Sequence, residues 1–265
     1  MKLHFDPNQQ FQIGTINSIV GIFEGQPLNH GEFGFTFDDD NYLFQEDGVG
    51  NRLTIGEEQL LENVQSAQAK NELSVSETLD GMHFSVEMET GTGKTYVYLR
   101  TIYELNKNYG FRKFVIVVPS VAISEGALKN LEITFDHFQN LYDKIPANFE
   151  VYDSRRVSGL RNFAVSNTIQ ILVINIDSFA KDENIINKPN DRLTGKRPVE
   201  FIQATHPIVI VDEPQNMETD IRKKAINNLK PLCTLRYSAT HISRYNMVYS
   251  LDPVKACDMG AGKTD

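Results

Sequence analysis

Three stretches of this chain are apolar almost without interruption: Phe114 to Val118, Ile169 to Ile176, and Ile208 to Val211. Unbroken runs of that length suit strands covered on both faces, as in a parallel sheet. Around them the apolar period changes to that of helices. Phe11, Ile13, Ile16, Ile19, Val20 and Phe23 predict a helix from about Pro7 to Phe23, with Asp6 before Pro7 as its start. Leu60, Leu61, Val64 and Ala67 predict a second, running to about Leu73 and opened by the capping-box spacing of Thr54 and Glu57. Val97, Leu99, Ile102 and Leu105 predict a third, ending near Gly110. A fourth starts near Ala122, after Pro119-Ser120, and continues loosely to Tyr142, and a fifth covers residues 220–229. His83 to Val86, Phe149 to Tyr152 and Leu235 to Tyr237 are shorter strand candidates. Strands alternating with helices imply βαβ units and a sheet with helices on both faces.

Two stretches break that alternation. Residues 30–54 place alternating aromatics around Asp38-Asp39-Asp40, which suggests a hairpin. Adjacent side chains on a turn diverge, so the three aspartates read as a solvated turn rather than a metal site. Residues 181–198 are polar, carry two prolines and read as a long surface loop.

Composition narrows the function classes. The 265 residues are 40% hydrophobic and 23% charged, ordinary for a soluble globular protein with a substantial core. No apolar run approaches the length of a membrane span, and the N-terminus lacks a signal-peptide core, so no membrane partner is expected. Cys233 and Cys257 make no disulfide framework, which fits a reducing cytoplasm, and the six histidines have no metal-ligand spacing. The net charge is −9, so a general basic surface that binds nucleic acid by counterion release is excluded. The densest basic cluster, Arg155, Arg156 and Arg161, reads equally as a phosphate-contacting patch or a solvated face.

The candidate chemistry lies between the strand at 83–86 and the third helix. Glu87-Met88-Glu89-Thr90-Gly91-Thr92-Gly93-Lys94-Thr95 is a Gly-rich loop between strand and helix, the setting of a phosphate cradle. Backbone amides of Thr90, Gly91, Thr92 and Gly93 would face phosphate oxygens, Lys94 would reach the β- and γ-phosphates, and the Thr95 hydroxyl would hold Mg²⁺. Met88 stands where the general pattern has glycine. The triplet alone is weak: Gly262-Lys263-Thr264 repeats it with Cys257 in the first-glycine position and no strand leading in, and that copy reads as coincidence. The copy at Lys94 has partners downstream. Asp212, at the end of a buried strand, can join the Mg²⁺ shell, and Glu213 can act as general base for water. Ser238-Ala239-Thr240 ends the next strand. Gln12, beside Phe11, could read an adenine edge, but its own stretch favours a solvated helix residue.

The strings Met88 to Thr95, Val118 to Ile123, Val211 to Gln215 and Tyr237 to His241, in that order, resemble the restriction (Res) subunit of type III restriction–modification enzymes, which belong to the superfamily 2 helicases. Residues 245–254 are similar to that family's exit from its first RecA-like domain. The resemblance covers nearly the whole chain. It implies an α/β fold, a three-layer P-loop RecA-like domain with a mostly parallel sheet, an N-terminal helix and a small hairpin-and-helix insertion. Residues 1–29 would carry the adenine motif, 30–80 the insertion, 81–250 the ATP-binding domain and 251–265 a truncated exit.

The same resemblance implies ATP and Mg²⁺ as cofactors, with double-stranded DNA and a methyltransferase (Mod) subunit as partners. It makes Gln12 the adenine contact, and it assigns Pro119 and Ser120 to the DNA backbone, with a further DNA motif at Asn175 to Phe179. Ser238 and Thr240 would couple nucleotide state to DNA movement. Subunits of this kind are longer, with a second RecA-like domain that supplies an arginine finger and then an endonuclease domain. The expectation is therefore a truncated subunit that binds ATP and hydrolyses it slowly. Two other readings remain: another superfamily 2 motor, such as a type I restriction or repair translocase, and a non-catalytic nucleotide-binding fragment. Asp-Glu-Pro-Gln and the 245–254 string favour type III over the former, and an ATPase assay separates the latter.

Overall fold

A computed structural model describes residues 5–29, 34–36 and 47–251, and the three apolar runs lie side by side in its sheet. In chain order the elements are helix α1 (Gln10–Gly21), strands β1 (Gly34–Thr36) and β2 (Asp47–Val49), helix α2 (Glu57–Lys70), strand β3 (His83–Met88) and helix α3 (Lys94–Tyr109). Then come β4 (Lys113–Val118), α4 (Val121–Leu141), β5 (Ala147–Val151), α5 (Gly159–Val165), β6 (Ile169–Asn175) and α6 (Pro198–Ala204). The last are β7 (Ile208–Asp212), α7 (Asp220–Asn228), β8 (Cys233–Ser238) and β9 (Met247–Leu251). Among the described residues the main sheet has seven strands in the order β5-β6-β4-β7-β8-β3-β9, and every pair is parallel. This is the three-layer α/β architecture that the alternation implies.

The alternation of side chains along β4 divides the interior in two. Phe114, Ile116 and Val118 pack with α1 to α4 on one face, while Val115 and Val117 pack with α5 to α7 on the other. All five are fully buried, each worth about 1.5–3 kcal/mol for the largest of them. Because the strands are parallel, their carboxyl ends share one edge. That edge gathers the loop after β3, the turn after β7 and the segment after β8.

Several boundaries move from their expected places. The first helix begins at Gln10, since Asp6 Oδ1 instead accepts the Asn8 amide at 2.9 Å in a preceding turn. Thr54 does not cap the second helix. Its amide and hydroxyl both meet Gln26 Oε1, at 2.8 and 3.2 Å, and Gly56 occupies the N-cap position without a side-chain bond. The third helix ends as expected at Gly110, whose φ of +74° and whose closeness to the Asn29 carbonyl both exclude a Cβ. Residues 181–198 form two short 3-10 turns that bury Ile186 and Leu193, so this segment is more than a polar loop. Short elements α5, α6 and β9 were not legible as such. The hairpin expectation holds for the antiparallel pair β1 and β2, with Gly34 opposite Val49. Asp38 to Asp40, Cys257, Gly262 to Thr264 and the end of the 245–254 string lie outside the described residues. No described helix is long and apolar enough to cross a membrane.

Candidate nucleotide-binding site

Strand β3 carries the chain to Met88, which is fully buried and pairs with Leu251 of β9. That position continues the strand and needs no positive φ, so methionine serves where the general pattern has glycine. The next two glycines are required. Gly91 and Gly93 both have φ near +86°, and a Cβ on Gly93 would stand 2.7 Å from Gln12 Nε2. The loop is braced from within and from α1. Thr92 Oγ1 donates to the Glu89 carbonyl at 2.7 Å, the Thr90 amide donates to Glu89 Oε1 at 3.0 Å, and Gln12 Nε2 donates to the Thr92 carbonyl at 3.1 Å. Gln12 is thus buried against the loop rather than solvated. Helix α3 then begins at Lys94 with no side-chain cap and no acidic residue in its first turn. Its first amides and the positive end of its dipole are left open to an anion.

The carboxylates arrive from β7. Asp212 is the last residue of that strand and is 8% exposed. Glu213 follows in the left-handed region, φ 54° and ψ 60°, an unusual conformation for a side chain of this size, with its amide donating to the Tyr237 carbonyl at 3.0 Å. The turn brings Glu213 Oε1 to 2.8 Å from Lys94 Nζ. Gln215 Nε2 donates to Glu213 Oε2 at 2.8 Å. Ser238 Oγ lies 2.7 Å from Gln215 Oε1 and 3.3 Å from Glu213 Oε2, and it accepts the Thr240 amide at 3.1 Å.

These surroundings set the two acids apart. Burial, and then the neighbouring Glu213 charge, push Asp212 up to about 6, against the opposing pull of Lys94. Burial would raise Glu213 as well, but the bonds from Lys94 and Gln215 outweigh it and hold that carboxyl below its usual range. Beside Asp212 and Thr95 lies the hydroxyl of Tyr98, fully buried, with those two groups as its polar neighbours. A threonine hydroxyl, a tyrosine hydroxyl and a buried carboxylate, all of them hard oxygen groups, fit a hydrated divalent cation. Tyr98 was not singled out from sequence, and Gln215 was read only as part of the Asp-Glu-Pro-Gln string. The helical spacing of Tyr98 from Lys94 was the available signal for the former.

The other expected residues are distributed along the same edge. Ser120 is committed to capping α4, its Oγ accepting the Ile123 amide at 3.3 Å, and Pro119 precedes it at the end of β4. Asn175 Oδ1 accepts the Asp177 amide at 2.8 Å, and Asp177 pairs with Arg222 at 2.9 Å. Arg155 and Arg156 are exposed and pair with Asp153 at 2.9 and 4.0 Å. They line a groove of 1010 Å³ at the end of β5 and β6, where Glu132, Glu150, Asp153, Asp177 and Glu183 outnumber them. The basic cluster therefore sits in an acidic setting. No group of three His, Cys, Asp or Glu poised for a metal occurs among the described residues.

The family profile described as "Type III restriction enzyme, res subunit" matches residues 56–243, from the start of α2 past the Ser238 segment. The chain belongs to that family. The StyLTI Res subunit of Salmonella typhimurium is 35% identical, covering 61% of this chain and 18% of its own length. The EcoP15I Res subunit of Escherichia coli is 30% identical, covering 77% of this chain and 23% of its own length. The chain thus spans less than a quarter of the length of either Res relative. A solved structure titled "ATP-dependent Type ISP restriction-modification enzyme LlaBIII bound to DNA" superposes with a TM-score of 0.46 at 13% identity, covering 81% of this chain and 16% of that one, too distant a likeness to bear on function. Gln12 lies outside the matched Res segment, but its bond to Thr92 ties it to the loop inside.

Proposed function

We propose that this chain is the ATP-binding motor domain of a type III restriction subunit. Residues 81–250 form the RecA-like domain, residues 1–29 its adenine-contacting segment, residues 30–80 an insertion and residues 251–265 the exit. The observation that carries the reading is the 2.8 Å pair of Lys94 with Glu213, which joins the loop after β3 to the turn after β7 beside Asp212. Cradle lysine and base meet in that contact, with the metal carboxylate next to the base in sequence.

The chain's own residues then have distinct tasks. Lys94 and the open amides at the start of α3 bind the β- and γ-phosphates, so binding exchanges the Lys94–Glu213 pair for a Lys94–phosphate pair. Losing Lys94 removes a cause that holds Glu213 low, and its carboxylate becomes a stronger base for the attacking water. Gln215 and Ser238 keep that carboxylate oriented while Lys94 is elsewhere. Thr95 and Asp212 would hold Mg²⁺, which would supply positive charge against the phosphates. Gln12 keeps its Oε1 and second amide hydrogen for the adenine edge. Lys94→Ala is expected to abolish ATP binding measured by calorimetry with Mg²⁺ present. Equal affinity in wild type and variant would remove the loop from the account.

The reading also gives the chain duplex DNA and a Mod subunit as partners, a cytoplasmic setting, and a share in the endonuclease activity of a full-length enzyme. Pro119, Ser120 and residues 175–179 supply the DNA edge, and Ser238 and Thr240 couple nucleotide state to DNA movement. With a net charge of −9 and an acidic groove beside Arg155 and Arg156, few phosphates can be neutralised. DNA binding is therefore expected to be weak, without sequence preference, and to change only shallowly with salt. A titration series across salt concentrations checks this, and a steep slope or tight binding to one sequence would contradict it.

A further inference from the structure

Strands β3 and β8 differ from the rest of the sheet on one face. Phe84, Val86, Met88, Leu235 and Tyr237 enter the core shared with α1 to α4. The residues that alternate with them, His83, Ser85, Glu87, Thr234, Arg236 and Ser238, are polar and face the other way. Register sets Ser85 beside Arg236, and Ser85 Oγ and Thr234 Oγ1 are buried without partners. Residues 239–246 cross this polar face as a strap, and polar or aromatic contacts hold it. His241 Nε2 lies 2.9 Å from the Val86 carbonyl, Arg244 lies 3.2 Å from Glu87, and the Tyr245 ring lies 4.9 Å from the Arg236 guanidinium. Asn246 Nδ2 donates to the His83 carbonyl at 2.7 Å. A segment seated on exchangeable polar contacts can change its seating at lower cost than one locked into an apolar core.

Glu218 is where this strap meets the catalytic turn. It follows the short turn Pro214–Met217 that begins directly after Glu213, and Met217 is buried. Its carboxylate receives Arg236 from β8, Lys223 of α7 at 2.7 Å and Ser243 of the strap at 3.3 Å. The Arg236 and Glu218 side chains are only 4% and 13% exposed, so solvent screens the pair little. Ser238 ties the near end of the strap to Glu213 and Gln215, while Glu218 ties the far end.

We infer that Glu218 is a positioning residue that passes the placement of the Glu213 turn to strap residues 243–246 through Arg236 and Ser243. The inference rests on the nucleotide-site reading above, in which Lys94 leaves Glu213 for phosphate. The turn is only four residues long and has little slack to absorb a displacement of Glu213, so the displacement arrives at Glu218. From there the buried Arg236 and the Ser243 contact carry it to the far half of the strap.

The test is amide hydrogen exchange, read separately at Thr240 and at residues 243–246. Adding Mg²⁺-ATP to wild type is expected to change exchange at 243–246 by at least about 5-fold, the lower end of ordinary coupling between sites. In Glu218→Gln, calorimetry should give ATP affinity within about 2-fold of wild type, while the response at 243–246 is lost and the response at Thr240, tied through Ser238, persists. A response at 243–246 as large as in wild type overturns the inference, and so does a parallel loss at Thr240. If wild type does not bind ATP, the nucleotide reading fails by itself. A nucleotide-free comparison then decides the inference: Lys94→Ala should alter exchange at 243–246 in the wild-type background and not in the Glu218→Gln background. If Glu218→Gln does not fold, Ser243→Ala, which removes one contact from the strap side, should show the same selective loss.

Discussion

In nucleotide-free protein, Asp212→Asn is expected to raise thermal stability at neutral pH while removing Mg²⁺-dependent ATP binding. Asp212 is almost wholly buried at the end of β7, next to Glu213, and its carboxyl is pushed up to about 6. A folded-state value above the unfolded one means the folded chain holds the proton more tightly. The stability that goes with the protonated form is fully present below about 4 and is lost as the pH rises through about 6. From that shift the deficit at pH 7 is on the order of 2–3 kcal/mol, enough to move a melting temperature by several degrees. Asparagine keeps the shape and removes the charge, so the variant should not show that loss. The check is a pair of melting curves at pH 4 and pH 7 for wild type and variant without metal or nucleotide. Wild type should drop relative to the variant across that interval. If the two proteins keep the same difference at both pH values, Asp212 is not the strained carboxylate described here. An acid whose ionisation costs the empty fold is one that a cation relieves, which is how stability and binding become opposed at one residue.

The central sheet was legible because its signal is composition, not pattern. Val115 to Val118, Leu172 to Ile174 and Val209 to Val211 are apolar on both faces, and only a strand covered on both sides requires that. The site was legible for a related reason: Gly91 and Gly93 need their positive φ, and the Asp212-Glu213 pair follows an apolar strand directly. What escaped reading is what depends on contacts distant in sequence. Strand β9 pairs with β3 across more than half the chain, and nothing in Met247 to Leu251 announces a partner. Thr54 has the spacing of a helix cap, but Gln26 from the segment after α1 captures it. Helices α5 and α6 are short, too short for a 3.6-residue period to repeat convincingly, and they owe their formation to packing against each other and the sheet. Gln12 shows the same limit at the site. Its place against the loop depends on the bond to Thr92, which no local pattern displays.

A polypeptide limited to these 265 residues is expected to bind ATP and hydrolyse it very slowly, with no stimulation by duplex DNA and no cleavage of DNA. The reason lies in what surrounds the Lys94–Glu213 pair. Lys94 and the start of α3 can meet the phosphates from one side, and Glu213 can take a proton from water. Charge that develops on the γ-phosphate during transfer needs a further cation on the open side. Arg100 is held by the Pro7 carbonyl and Tyr142, Arg222 by Asp177, Arg236 by Glu218 and Arg244 by Glu87. None of these is engaged at Lys94 or Glu213. In other phosphoryl-transfer systems an inserted arginine is worth on the order of 10³ to 10⁵ in rate. DNA could accelerate turnover by bringing such a group onto the site; among the described residues no arginine is bonded to or paired with Lys94 or Glu213, so the rate should ignore DNA. Steady-state phosphate release with and without duplex DNA measures this directly. Turnover near about one per second, within the ordinary range for enzymes and lost in Glu213→Gln, would show that the cation comes from a second copy of the chain. In that case the rate should rise with protein concentration, which a site complete within one copy would not do.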